Sequence, residues 1–170
     1  IAIRRDLKLM LNAAIAAKVP LVIGTSGGAG GEPHLQMVAQ MARDIAREDG
    51  LSFKMALIHA EQDKAEIKRR IAAGGIHPLA HQPELTAETV DKAQRIVGMM
   101  GPEPFIEALD NGAQVVFAGR SSDPAPWAAA CVRAQLPPVP GWYAGKMLEC
   151  GATPSIPKGH DSLFVTVRED

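Results

Sequence analysis

The chain has 170 residues, 46% of them hydrophobic and 22% charged, with a formal net charge of −1. That composition is globular and long enough for one domain with a real core, so two full domains are not expected. A nearly neutral surface attracts neither nucleic acid nor an anionic membrane, and no apolar run reaches the ~18 residues that a membrane span requires.

Residues 3–18, IRRDLKLMLNAAIAAK, place Leu7, Met10, Leu11 and Ile15 at helical spacing. LVIG follows as a short apolar strand, and a glycine-rich stretch, GTSGGAGGEPH, comes after it. Pro33 suits the first turn of a helix whose apolar stripe is Leu35, Val38, Met41, Ala42 and Ile45, with Gly50 as its stop. SFKMALIHA is a second strand, and EQDKAEIKRRIAAGG a helix with a Gly-Gly end. Residues 76–90 read as an irregular excursion, with a further helix over 86–97 and a short one from Pro102 to Asn111. GAQVVFAG is the third strand, and SDPAPWAAACVRAQ a helix with Asp123 as N-cap and Pro124 at its first position. PPVPG reads as a rigid break, WYAGKMLECGA as a helix, and SLFVTVRED as a last strand with clean alternation.

Strand and helix alternate, and three strands are short and apolar on both faces. The expected fold is therefore α/β: an open, mostly parallel sheet with helices on both faces, a Rossmann-like layering. The pattern starts inside a helix and stops just past a strand, so residues 1–170 are expected to be one domain or part of one, truncated at both ends. Two cysteines, Cys131 and Cys150, form no framework, which points to a reduced, cytoplasmic setting.

The glycine-rich stretch invites three familiar readings. A dinucleotide fingerprint needs GxGxxG and an acidic residue closing the next strand; here Gly28 and Gly30 are followed by Pro33, and the strand closes on His59. A phosphate loop needs GxxxxGK[ST], and no lysine lies between Lys18 and Lys54. Gly24, Ser26 and Gly28 do spell the GxSxG of a serine-nucleophile elbow, but six residues separate Ser26 from the helix that should begin at once. His160 and Asp161 are adjacent in sequence, a poor arrangement for a relay to that serine. What is left is a wide loop of backbone N–H groups leading into a helix N-terminus, suited to a carboxylate or phosphate, or else a mobile turn.

In a parallel sheet every strand's carboxyl end lies along one edge, where ligands bind. The first strand brings Gly24, Thr25, Ser26, Gly27, Gly28, Gly30 and Gly31 to that edge; the second brings His59, Glu61, Asp63 and Lys64; the third brings Arg120, Ser121, Ser122 and Asp123. Each acid has an ordinary structural alternative: Glu61 and Asp63 as first-turn acids, Asp123 as a cap. His59 could be a half-buried strand-end histidine, and Lys64 a surface residue. Arg120 beside small residues suits a carboxylate and is the strongest single choice for ligand contact. His59, Glu61 and Asp63, or His160 with Asp161, carry metal-ligating atoms without a recognised spacing, so no metal site is assigned and any cofactor is left open.

The segments GTSGGAGGEPHL, IHAEQDKAEIKRR, RIVGMMGPEPFIEALDNGAQVVFAGRSSDPA and WYAGKMLECGA…GHDSLFVTVRED together resemble the acyclic terpene utilisation (AtuA) family, over nearly the whole chain and in the same order. The resemblance implies a cytoplasmic α/β protein with sequence on both sides of this segment, linked to catabolism of branched isoprenoid or related carboxylic acids. It carries no assigned catalytic residue onto this chain, and the family pattern allows Ala where Ser26 stands.

The resulting expectation is an enzyme acting on a small carboxylate or acyl-CoA-type substrate by acid–base chemistry, as a lyase, hydratase or isomerase. His59, Glu61, Asp63 or Asp123 would move the proton beside an anion clamp. The alternatives are a non-catalytic ligand-binding or assembly subunit of a complex, and a serine hydrolase using Ser26. A homo-oligomer or complex subunit is expected, with a small anionic or acyl substrate as ligand.

Overall fold

A computed structural model of the chain describes residues 2–157, 159 and 162–169. Its elements in order are α1 (Ala2–Ala17), β1 (Leu21–Ile23), α2 (Glu32–Asp49), β2 (Met55–Ile58), α3 (Lys64–Ala72), α4 (Ala87–Lys92), α5 (Glu103–Asp110), β3 (Val115–Ala118), α6 (Ala125–Arg133) and α7 (Pro138–Leu148).

The three strands form a parallel sheet in the order β1-β3-β2, with Leu21, Val115 and Met55 in register. β3 is the central strand, and all four of its residues are fully buried. Alternation along β3 then divides the core in two. Val115 and Phe117 pack on one face with Leu7 and Leu11 of α1 and Leu35, Val38, Ala39, Ala42 and Ile45 of α2. Val116 and Ala118 pack on the other with Phe105 and Leu109 of α5 and Ala125 and Ala129 of α6. A large apolar side chain buried this completely contributes about 1.5–3 kcal/mol, so the two layers carry the fold. The α/β architecture, an open parallel sheet with helices on both faces, is the one expected from the sequence.

The ends of α2 follow local rules. Pro33 sits in its first turn, where a missing N–H costs nothing, and Gly50 closes it at φ +65° with its N–H on Ala46 O. Arg4 bonds Glu48 at 2.5 Å and Lys8 bonds Asp49 at 2.6 Å, tying α1 to the end of α2. The inward stripe of α1 runs through Leu7, Leu11 and Ala14, leaving Met10 41% exposed.

Several sequence expectations change. Residues 162–169 contain no strand, so the alternation of SLFVTVRE finds no partner strand among the described residues. PPVPG is not a break: α7 begins at Pro138, because prolines are tolerated in a first turn that needs no N–H donors. The helix expected over 86–97 stops at Lys92, where Ala93 turns extended at ψ 132°. Asp123 does not cap α6; Pro124 holds the N-cap position, with no side-chain hydrogen bond there.

Candidate functional site

Small residues let the three carboxyl-end loops touch through their backbones. A Cβ on Gly30, at φ +72°, would lie 2.3 Å from Arg120 N and 2.6 Å from Arg120 Cα. A Cβ on Gly119 would lie 2.6 Å from Ala60 Cβ and 2.7 Å from Gly30 O. Glycine is therefore demanded at both positions, and the first, second and third loops meet there.

The first and third loops are also laced by hydrogen bonds. Thr25 N–H donates to Gly119 O (3.0 Å) and Ser26 N–H to Ala118 O (2.9 Å), extending the β1–β3 ladder. Thr25 Oγ1 accepts from Ser121 N–H and donates to Ser121 O, both at 3.2 Å. Thr25 holds φ +48° to do so. The glycine stretch itself is tighter than the wide cradle expected. Gly28 N–H donates to Thr25 O and Gly30 N–H to Ser26 O, each at 3.1 Å, so two of its donors are used within the turn. Gly27 and Gly28 are exposed, whereas Gly30 and Gly31 are buried.

The second loop is clasped to the start of α2. Glu32 N–H, at the helix N-terminus, donates to Glu61 Oε2 at 3.0 Å, and Arg95 Nη1 donates to Glu61 Oε1 at 2.5 Å. These two donors, the backbone one first, hold the Glu61 carboxyl below its usual range. In return, Glu32 Oε2 lies 2.7 Å from His59 Nδ1, and Glu32 Oε1 accepts from Gln36 Nε2 at 2.7 Å. The His59 bond, then the Gln36 bond, lowers the Glu32 pKa. Both glutamates are thus ionised near neutrality.

Other expected site residues serve the scaffold. Asp63 is the N-cap of α3 and accepts from Glu66 N–H at 2.8 Å. Lys64 Nζ donates to Ala93 O (2.5 Å) and Asp91 O (3.3 Å) at the end of α4. Ser122 N–H donates to Met100 O at 2.9 Å, and Ser121 is fully buried. Arg120 is about one-third exposed and lies 3.6 Å from Asp123 Oδ1. A cleft of about 130 Å³ opens beside them, lined by Gly24, Thr25, Ser121, Asp123, Pro126, Trp127 and Glu149. A separate groove of about 330 Å³ runs along β2 to His59. Asp123 thus lines the cleft and His59 the groove.

Ser26 is 1% exposed, and its Oγ has no hydrogen-bond partner among the described residues; the same is true of the buried His34 Nδ1. A nucleophile needs an accessible hydroxyl on a base, and Ser26 shows neither. Among the described residues no three His, Cys, Asp or Glu side chains gather as a metal site, and His160 and Asp161 lie outside those residues.

Two features escaped sequence reasoning. Glu32 and Arg95 complete the clasp, yet from the sequence Glu32 falls at the end of the glycine loop and Arg95 inside the helix expected over 86–97. The segment 96–100 crosses the strand ends as a strap: Gln62 N–H donates to Ile96 O, Gly98 N–H to Ala60 O, and Met100 N–H to Arg120 O. It bridges Glu61 to Val97 and Ser121 to Met100. Its only sequence signal is Gly98, where a Cβ would lie 3.0 Å from Gln62 Nε2.

Among the described residues no helix is long and apolar enough to cross a membrane. No curated protein and no solved structure matches the chain. The family model described as acyclic terpene utilisation family protein AtuA matches residues 3–154, nearly the whole length, and the chain belongs to that family.

Proposed function

We propose that the chain is an enzyme of branched-chain, isoprenoid or related carboxylic acid catabolism that moves a proton on a small carboxylate or acyl-CoA-type substrate, as a lyase, hydratase or isomerase. Family membership supports the metabolic setting. The observation that carries the chemistry is the carboxylate-paired imidazole of His59, 2.7 Å from Glu32, at the edge where three loop backbones meet. Of the titratable groups on that edge, Asp63 is spent as a helix cap and Glu61 is held by two donors. His59, 58% exposed, is left to exchange a proton with a ligand. Arg120 would turn from Asp123 to the substrate carboxylate, since a contact at 3.6 Å between partly exposed groups is easily exchanged. The exposed Gly27 backbone would hold a second anionic group, since the Gly28 N–H is already taken by Thr25 O. The test is turnover and binding of branched, unsaturated carboxylates and their CoA thioesters by wild type, His59→Ala and Arg120→Ala. Undiminished turnover in both folded variants would refute the site.

A second reading, an assembly subunit whose partner carries the chemistry, has one observation in its favour. The outer strands β1 and β2 are wholly apolar yet every residue is only partly buried. A native mass measurement separates the two: a stable hetero-complex, inactive without its partner, favours the subunit.

A further inference from the structure

We propose that Glu32 is the positioning residue for His59, its carboxylate taking the Nδ1 proton so that Nε2 becomes the basic nitrogen of the site. An ionised carboxylate only accepts hydrogen bonds, and a neutral imidazole has one N–H. A ring nitrogen 2.7 Å from Glu32 Oε2 must therefore be the donor, and the lone pair must lie on the other nitrogen. An unrestrained neutral histidine mostly carries its proton on Nε2, so the contact reverses the ordinary tautomer.

The carboxylate is held for this purpose from several directions. Glu32 is the first residue of the 18-residue helix α2, where the helix dipole favours a negative charge. Gln36, one turn on, donates to Oε1 at 2.7 Å, leaving Oε2 for His59. The Glu32 backbone is pinned by Glu61, which Arg95 pins in turn. Besides Glu32, the charged groups around the clasp are thus Glu61 and Arg95, and they pair with each other. A proton leaving substrate for Nε2 would produce an imidazolium whose charge Glu32 already faces, the logic by which a buried or half-buried acid supports a histidine base.

The catalytic meaning of the pair rests on the reading of His59 as the proton carrier; the tautomer does not. The ¹⁵N-edited NMR spectrum of the chain at alkaline pH, where imidazoles are neutral, tests it directly. Wild type should show the His59 proton on Nδ1, and Glu32→Gln should return it mainly to Nε2 while the fold is unchanged by circular dichroism. On the substrate that His59 turns over, Glu32→Gln should lower kcat roughly 10- to 100-fold with KM nearly constant, less than the loss of the general base itself. A wild-type Nε2–H tautomer overturns the proposal even if the variant does not fold, and so does a tautomer unmoved in Glu32→Gln. If His59→Ala retains full turnover, the functional reading fails instead, and the tautomer result stands by itself.

Discussion

Gly30 and Arg120 meet backbone to backbone: a methyl group on Gly30 would stand 2.3 Å from the amide nitrogen of Arg120. Two loops separated by 90 positions in sequence touch here without a side chain between them. Gly30→Ala should therefore destabilise the protein by about 2–4 kcal/mol, combining the left-handed φ with a clash against backbone that has nowhere to move. Gly28→Ala is the control. Its φ is +84°, but nothing lies within 4 Å of the added carbon, so only the conformational cost of about 1–2 kcal/mol should appear. Urea midpoints of the two variants check the difference, and equal losses would mean that the loops do not abut.

Acid should weaken the clasp. Glu32 and Glu61 have lowered pKa values in the folded state, so their contribution is fully present above the unfolded glutamate value of about 4.3 and is lost as pH falls through the folded values. Glu66, held down to about 2 by Arg69 and Arg70, extends that limb further into acid. The urea midpoint should fall steadily below about pH 4.3, and Glu61→Gln should flatten the fall while lowering stability at neutral pH. A slope unchanged in Glu61→Gln would show that the clasp is not formed in solution.

Ser26→Ala should be neutral or stabilising, by up to about 1 kcal/mol, because it removes a buried hydroxyl with no partner among the described residues. A buried, unactivated serine should also resist a fluorophosphonate probe. Covalent labelling at Ser26, read by peptide mass spectrometry, would reverse this and restore the serine nucleophile.

His59→Ala should reduce turnover by about 10²–10⁴-fold, the usual weight of a general acid–base group, with little change in stability because the side chain is mostly exposed. Arg120→Ala should act chiefly on KM, and Arg120→Lys should recover only part of the loss, since a point charge does not reproduce a two-pronged carboxylate contact. Steady-state kinetics on the substrate series gives both. An Arg120→Ala variant with unaltered KM would remove Arg120 from the ligand site.

The sheet and its helices were legible because their signals are local. Short apolar runs, the Pro33 and Gly50 boundaries and the Leu35–Val38–Ala42–Ile45 stripe each lie within a few residues and agree with one another. SLFVTVRE shows where such reasoning stops. Alternation prepares a strand, but a strand exists only with a neighbour to complete its hydrogen bonds, and residues 162–169 have none described. PPVPG fails for the opposite reason: the same prolines that break a helix interior are harmless where α7 starts.

For the site, the sequence alone determined the list of polar loops and, through the parallel pattern, that they share one edge. Which residues work together was decided only in three dimensions. His59 faces Glu32 from 27 positions away, Glu61 is shared by Glu32 and Arg95, and Asp63 and Lys64 turn aside to cap helices. The strap at 96–100 was hidden for the same reason, since its hydrogen bonds go to loops that are neighbours only after β3 inserts between β1 and β2. Helical and strand periodicities are written into adjacent residues, whereas a hydrogen bond between loops depends on which strands become neighbours. That choice belongs to the packing of the whole sheet.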